Sequence, residues 1–229
     1  MTIQPQSPTQ LNVAKTNVAK TIYTDNAIDR AFIWVFARKM AKAVGQETDR
    51  SGYDGFVDLS HRIMRGRNAQ QQQQVVGVVL RSLMPSPVLY LIRSLVSPTK
   101  LVCELNAWFA TKMFVWLVGP CEVREVTIIN PDGRTHNQRS NVHIEKCRYL
   151  EQSQCVGMCM NMCKLPTQKF FTDDFGIPVT LVPNFEDYSC DMTFGQIPPD
   201  VATEEAYREP CLAACPTAKT SASCPKVRS

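Results

Sequence analysis

The sequence of 229 residues contains ten glycines, and no two of them are spaced as Gly-x-Gly. The dinucleotide-binding fingerprint needs that spacing, because its glycines let the backbone approach a pyrophosphate at the start of a helix. A Walker-A loop and a Gly-x-Ser-x-Gly nucleophile elbow are also missing. The sequence therefore predicts neither a flavin nor a nicotinamide nucleotide as cofactor.

Histidine and net charge are scarce as well. Three histidines cannot build a four-histidine iron site, although His136, His143 and Glu145 leave open a two-histidine–carboxylate site. The formal net charge is only +4, and no basic face with interleaved aromatic residues is present. We therefore expect no nucleic-acid partner.

An export signal and a membrane-spanning apolar run are also absent. The first two dozen residues are polar and lack an apolar h-region. They contain no acid before Asp25, a faint similarity to an organellar transit peptide, but they also lack arginine, so we favour a disordered tail. The most apolar stretch, residues 101–120, is interrupted by Glu104, Asn106 and Lys112. It predicts a buried core helix or, as the alternative, a helix lying on a bilayer surface.

Residue periodicity predicts an α+β fold with an apolar, helical N-terminal half. A helix is expected over residues 26–43, ending at Gly45. The five glutamines at 70–74 continue into a second apolar helix, and Pro85 and Pro87 separate it from a third, which Pro98 closes. Another helix is expected over residues 101–117.

The second half predicts a β-hairpin followed by a cysteine-rich helical and extended region. Strands flank the turn signal Asn130-Pro-Asp-Gly133. A helix over residues 149–164 stops before Pro166, and Thr167 caps a short helix that Gly176 ends. The predicted regions are a flexible tail (1–22), a helical apolar region (23–120), the hairpin with the cysteine-rich region (121–216) and a disordered tail (217–229).

The sequence is rich in cysteine, with ten in all. Cys147, Cys155, Cys159 and Cys163 follow one another at gaps of seven, three and three residues. On an α-helix the last three advance by about 40° per step, so their sulfurs would leave one face in a slowly turning stripe. Further along, the chain carries Cys190 and the pair Cys211 and Cys215, the latter followed directly by proline.

Several kinds of cysteine site fit this spacing. Disulfides are typical of small secreted chains, and structural zinc prefers Cys-x-x-Cys pairs, which this chain lacks. A thiolate-ligated iron or iron–sulfur centre takes ligands from several segments, which favours it here. Two alternatives remain. One is a copper(I) site that also uses Met158, Met160 and Met162, and the other is a redox-sensing thiol.

Three segments carry a resemblance to a known family. They are GMCMNMCKLPTQKFF, FGIPVTLVPNFEDYSCDMTFG and PCLAAC. Together they resemble the iron-containing β-carotene isomerases, which interconvert all-trans- and 9-cis-β-carotene at the start of plant strigolactone biosynthesis. The similarity is dense over residues 147–215 and extends more loosely back to Tyr23.

The resemblance implies a carotenoid cis–trans isomerase that holds iron, as a single ion or an iron–sulfur cluster, through cysteines. The expected ligands are Cys155, Cys159 and Cys163 with one or more of Cys147, Cys190, Cys211 and Cys215. It also implies a chain located in the plastid of a plant or alga, or in the cytoplasm or at the thylakoid of a cyanobacterium.

A long hydrocarbon substrate needs a long apolar channel, preferably one that opens toward lipid, so peripheral membrane contact is expected. Trp108 and Trp116 suit an interfacial position, and Phe170 and Phe171 could line the end nearest the cysteines. We predict these four as substrate-binding residues. The sequence identifies no catalytic residue.

The sequence leaves open two mechanisms and one rival function. A polyene bond rotates when its bond order falls, either by transient exchange of one electron at the thiolate-bound iron or by protonation from an acid such as Glu186 or Asp187. The rival function is a non-catalytic iron–sulfur electron carrier or a zinc-stabilised interaction module.

Overall fold

The computed structural model describes residues 21–130, 132–215, 224 and 227. Its N-terminal half is helical, as predicted. The helices are α1 (Ala27–Val44), α2 (Gly52–Met64), α3 (Ala69–Leu83), α4 (Ser86–Leu95), α5 (Lys100–Met113) and α6 (Val115–Val118).

Capping residues set the ends of α1 where the sequence places them. The Asn26 side chain accepts hydrogen bonds from the N–H groups of Ile28 and Asp29, and the Asp29 carboxylate accepts one from the Asn26 N–H. Gly45 ends the helix in the left-handed region, at φ 72°. These contacts confirm the helix predicted over residues 26–43.

Two breaks shape the later helices. The Pro85 segment bends α4 away from α3 by 87°, as the prolines predict. The single helix expected over residues 101–117 is wrong, because Phe114 leaves helical geometry (φ −110°, ψ 7°) and separates α5 from α6. Among the described residues, no single helix meets the length and hydropathy of a membrane span; the α3–α4 pair meets them jointly, across the bend.

Four strands form one antiparallel sheet in the order β1-β2-β4-β3. They are β1 (Cys121–Ile129), β2 (Thr135–Ile144), β3 (Val179–Pro183) and β4 (Cys190–Phe194). The turn between β1 and β2 is closed by the Gly133 N–H, which donates to the Asn130 carbonyl at 2.9 Å. The predicted hairpin and the α+β class are confirmed.

The cysteine-rich segment does not form the helix that the sequence predicts. After α7 (Arg148–Ser153), Gln154 adopts a left-handed conformation (φ 48°) and Cys155 an extended one. The chain then runs as one helical rod, the cysteine helix, residues 156–174, in four parts: α8 (Val156–Met158), π1 (Cys159–Lys164), α9 (Leu165–Lys169) and π2 (Phe170–Asp174).

Pro166 does not stop this rod, and Thr167 does not cap a new helix. The π1 turn bonds residues five apart, as shown by the Leu165 N–H donating to the Met160 carbonyl. This shift lets Pro166 occupy the first turn of α9, where its missing N–H is tolerated. Gly176, at φ 75°, lies just past the end of π2, as predicted.

One main hydrophobic core joins the helical half to the sheet and the cysteine helix. A second, smaller core packs Val156, Met160 and Leu165 against Cys211 and Ala206, with Cys224 and Val227 from the predicted C-terminal tail buried beside them. The rest of that tail, and the N-terminal tail before Thr21, lie outside the described residues.

Candidate active site

An apolar cavity of about 620 Å³ lies between the helices, the sheet and the cysteine helix. Cavities of roughly 300–1,000 Å³ are typical of small-molecule sites. The helical wall is apolar and includes Phe32, Phe36, Leu83, Phe109 and Met113. The sheet wall is apolar too and includes Val142, Ile144, Leu181, Met192 and Phe194.

Aromatic rings cover two parts of this wall. Phe171 packs against Phe175 and Phe194 with ring centroids 5.3 Å and 5.5 Å away. Trp116 packs against Phe36 at 4.8 Å, on the helical side. Such rings offer flat, polarisable surfaces to a conjugated ligand.

The predicted substrate-binding residues divide into two groups. Trp116, Phe170 and Phe171 line the cavity. Trp108 lies on α5 with 54% of its surface exposed and is not part of the cavity wall.

Four of the seven predicted metal-ligating cysteines line the same cavity: Cys147, Cys159, Cys163 and Cys190. The fold gathers them from three places. Cys159 and Cys163 lie on π1 and Cys190 begins β4, which pairs with β2 through Ile144. Cys147 follows β2, and its N–H donates to the Tyr188 carbonyl at 2.7 Å. A fifth cavity cysteine, Cys121, was not predicted, because it stands alone in sequence at the start of β1.

Burial keeps these thiols protonated at neutral pH. It raises the pKa of Cys163 to about 12 and is the largest cause of the raised pKa of Cys147, Cys159 and Cys190. Repulsion among the four sulfurs adds to the rise, whereas the ammonium of Lys164 lowers the pKa of Cys159 and Cys190 in part.

Lys164 is the one charged side chain among the described residues of the cavity wall. It ends π1, and its ammonium lies 2.7 Å from the Glu204 carboxylate. The two side chains are only 4% and 7% exposed. A buried cation at this point disfavours a second positive charge nearby. The sequence reasoning missed it, since Glu204 lies forty residues away.

The other three predicted cysteines lie elsewhere. Cys155 is buried in the main core but is not part of the cavity wall. Cys211 and Cys215 belong to the second core. Within the described part of the chain, no three His, Cys, Asp or Glu side chains are grouped so that they could hold a metal ion. As placed, the side chains do not fit a preformed metal centre.

A polar clamp holds the segment before α1 against the residues that follow Cys147. The Thr21 N–H and the Tyr23 hydroxyl donate to the two Glu151 oxygens, each at 2.9 Å. The Arg148 guanidinium pairs with the Asp25 carboxylate and lies between two tyrosine rings, those of Tyr23 and Tyr53. Cys147 is thereby held through its neighbour Arg148.

Comparison with known proteins identifies the family. The family model described as "Beta-carotene isomerase D27-like, C-terminal" matches residues 116–203. A protein named "Beta-carotene isomerase D27, chloroplastic" from Medicago truncatula is 40% identical over 212 residues, 92% of this chain and 82% of its own. Its namesake from Arabidopsis thaliana is 36% identical over 210 residues, 91% of this chain and 78% of its own.

The chain belongs to the D27-like β-carotene isomerase family. The D27-like segment contains the whole sheet, the cysteine helix and the four cavity thiols. Cys211 and Cys215 follow the end of that segment, in the second core. No solved structure gives a significant match to the chain.

Proposed function

We propose that this D27-like chain interconverts all-trans- and 9-cis-β-carotene in the cavity between its helices and its sheet. The family provides the reaction class, since both curated relatives are named β-carotene isomerases. The observation that carries the proposal is the cavity itself, which is apolar, lined by aromatic rings and bordered by five thiols. In a plant, the reaction would open strigolactone biosynthesis, and the relatives' names support a plastid location.

The cavity binds the substrate by excluding water from a hydrocarbon chain. Its apolar walls gain roughly 25 cal/mol for each Å² of apolar surface that they cover. Phe171 lines this cavity together with Cys159 and Cys163, so we expect its ring to contact the polyene beside these thiols.

The geometry argues against protonation by a carboxylic acid as the way to lower the bond order. No carboxylic acid is part of the described cavity wall. Glu186 and Asp187, the candidate acids, are exposed, and Asp187 accepts a hydrogen bond from the Ser189 N–H.

Cysteine-held iron stays a prediction. The four predicted thiols of the cavity wall are of the chemical type that binds iron, but their side chains must rearrange before three of them could reach one ion. Cys155, Cys211 and Cys215 are not part of this wall, so we do not expect them in the same centre.

Peripheral contact with a membrane is part of the proposal. β-Carotene is a hydrocarbon that resides in lipid, so the chain needs a route from a bilayer to the cavity. Large apolar side chains of α4 and α5 are exposed, which supports such contact.

The decisive experiment is incubation of the chain with all-trans-β-carotene in detergent micelles, followed by chromatographic separation of the isomers. We expect 9-cis-β-carotene to form, and Phe171→Ala to slow its formation about tenfold by removing a stacking surface. Trp34→Ala, which removes an exposed aromatic ring outside the cavity, is the matched control.

Absence of isomerisation under oxygen-protected conditions, with and without added iron, would refute the proposal. Running the reaction in deuterated water separates the two mechanisms. We expect no deuterium in the product, whereas incorporation would support an acid in place of electron exchange.

A further inference from the structure

Helices α4 and α5 expose an unusual amount of apolar surface. The side chains form one group that we call the α4–α5 surface: Val88, Tyr90, Leu91, Leu95, Leu101, Leu105 and Trp108. Each is between 41% and 76% exposed. Single exposed apolar side chains are ordinary on a soluble protein, whereas seven on two successive helices point to an interaction site.

Helical spacing shows that these residues are organised as faces. On α5, Leu101, Leu105 and Trp108 follow at steps of four and three, so they share one side of the helix. On α4, Leu91 and Leu95 are also one turn apart. Trp108 and Tyr90 add rings of the type that prefer the boundary between water and hydrocarbon.

The charges around this surface have one predominant sign. Residues 69–118 carry four basic side chains, Arg81, Arg93, Lys100 and Lys112, and a single acid, Glu104. Arg81 is paired with Asp174 of the cysteine helix at 3.0 Å, so the basic character of the surface comes from Arg93, Lys100 and Lys112. That acid is engaged, since its carboxylate accepts the Arg139 N–H at 2.9 Å and lies 4.0 Å from the Lys100 ammonium. A basic rim around an apolar face is complementary to an anionic lipid surface.

The same helices also form the cavity wall. Phe109 lines the cavity and is itself 50% exposed. Leu83 and Met84, at the bend between α3 and α4, line it as well. The 87° bend turns α4 away from the direction of α3, so α4 can lie along a surface while α3 stays packed on the core.

We propose that the α4–α5 surface docks on an anionic lipid bilayer and that a hydrocarbon enters the cavity beside Phe109. The docking half of this inference stands on exposure and charge alone. The entry half rests on the proposed function, because it requires a lipid-soluble substrate.

Vesicle binding by the full chain tests the docking half. We expect co-sedimentation with phosphatidylcholine vesicles that contain phosphatidylglycerol, weaker binding to phosphatidylcholine alone, and loss of the difference at high salt. Leu101→Glu should lower the partition coefficient about tenfold or more, the factor expected for withdrawing one leucine from hydrocarbon.

Ile28→Glu provides a matched control for this variant. Ile28 and Leu101 both occupy the second position of a helix, and they are 67% and 74% exposed. The control should bind vesicles like the unmodified chain. In a Trp34→Phe background, brominated lipids should quench the exposed Trp108 on binding, while Trp116 stays buried.

Several results would overturn the docking proposal. One is that the unmodified chain binds neither kind of vesicle. Another is that Leu101→Glu and Ile28→Glu bind the anionic vesicles equally well. Light scattering could show a dimer that Leu101→Glu dissociates, which would assign the surface to a second copy. Cross-links between residues 1–20 and Leu101 would assign it to the chain's own N-terminal segment.

Turnover measurements separate this inference from the proposed function. With β-carotene loaded in vesicles, Leu101→Glu should turn over about tenfold more slowly than Ile28→Glu, in proportion to its weaker binding. With β-carotene in detergent micelles, the two should be equal. Equal rates in vesicles would refute entry from the bilayer, whereas no turnover in either medium would refute the proposed function and leave the vesicle-binding result standing.

Discussion

Cys163 and Lys164 are neighbours in sequence and both line the cavity, but one side chain is neutral and the other belongs to an ion pair. The thiol is neutral because burial raises its pKa to about 12. The Lys164 ammonium is paired with the Glu204 carboxylate 2.7 Å away, from the loop before residues 205–208. The spacing of the cysteines could predict a sulfur-lined site, but the contribution of Glu204 depends on a contact between distant segments.

A first prediction concerns the cavity thiols. Cys159→Ser and Cys163→Ser should each lower turnover at least tenfold, because both thiols line the cavity proposed to hold the polyene. They should also lower any bound iron, because serine is a poor ligand for the metal that thiolates prefer. Metal analysis of oxygen-protected protein and isomer chromatography are the measurements.

Cys103→Ser is the control for these variants, since Cys103 is buried outside the cavity wall. It should keep both iron and turnover. If Cys159→Ser also kept both, the assignment of the cavity thiols to the reaction would be wrong.

A second prediction concerns the buried ion pair. Lys164→Met leaves the Glu204 carboxylate buried without its partner, so the free energy of unfolding should fall by about 3–5 kcal/mol. Chemical denaturation measures the change. The double variant Lys164→Met with Glu204→Gln should recover much of the loss.

Lys169→Met is the matched control, because Lys169 lies on the same rod and pairs with Asp173 at the surface. Its effect should stay within roughly 0.5 kcal/mol. Equal losses for Lys164→Met and Lys169→Met would contradict the importance given to burial of the first pair.

At the scale of secondary-structure elements, caps and turn residues in the sequence predict the helices and strands whose ends they set. The Asn26 cap, Gly45 and the Asn130–Gly133 turn act within a few residues, and the structure confirms α1 and the hairpin. The cysteine helix could not be predicted in the same way. Its π turns carry Pro166 past the point where an α-helix would end, and they depend on packing against α3.

The glutamine run shows how α3 supports that rod. Gln72 is 2% exposed, donates to the Arg67 carbonyl at 2.7 Å and accepts from the Asn161 side chain of π1 at 3.0 Å. Gln73 donates to the same Asn161 at 3.3 Å. The sequence predicts helix for these glutamines but cannot indicate which of them is buried.

A third prediction follows from this contact. Gln72→Leu removes the hydrogen bonds that Gln72 makes with the Asn161 amide and the Arg67 carbonyl, at a cost of about 1–3 kcal/mol in unfolding free energy. It should also reduce turnover, because π1 carries Cys159 and Cys163.

Gln74→Leu changes an exposed glutamine of the same run and should alter neither quantity. Urea denaturation and isomer chromatography provide the two readouts. A Gln72→Leu chain with full stability and full turnover would contradict the supporting role of α3.

At the scale of the whole molecule, one core unites what the sequence divides into a helical region and a cysteine-rich region. Apolar composition predicted that both halves bury hydrophobic residues, and the α+β class followed from their different periodicities. That they face each other across a cavity could not be predicted, because it depends on the β2–β4 pairing and on Arg148 joining Asp25.

A fourth prediction concerns stability at alkaline pH. The pKa is raised from 9.0 to about 11 at Cys103 and Cys121 and to about 12 at Cys163, chiefly by burial. The folded chain therefore keeps protons that the unfolded chain releases. This contribution to stability is fully present below pH 9 and is lost as the pH rises from 9 to about 12. The loss is up to about 1.4 kcal/mol per pH unit for Cys163, and solvent screening makes it smaller for Cys103 and Cys121.

Denaturation under reducing conditions from pH 7 to 11 measures this loss. Stability contributed by these thiols should be flat below pH 8.5, and a Cys163→Ala chain should show a shallower alkaline decline than the unmodified chain. Parallel declines would show that this thiol ionises equally in both states.

The clamp formed by Thr21, Tyr23 and Asp25 has a practical consequence for handling the protein. These residues hold Glu151 and Arg148, next to Cys147. A protease recognition sequence or a reporter inserted between Thr21 and Asn26 would break these contacts with Glu151 and Arg148 and loosen the segment that follows Cys147. Affinity handles and fluorescent labels therefore belong upstream of Thr21.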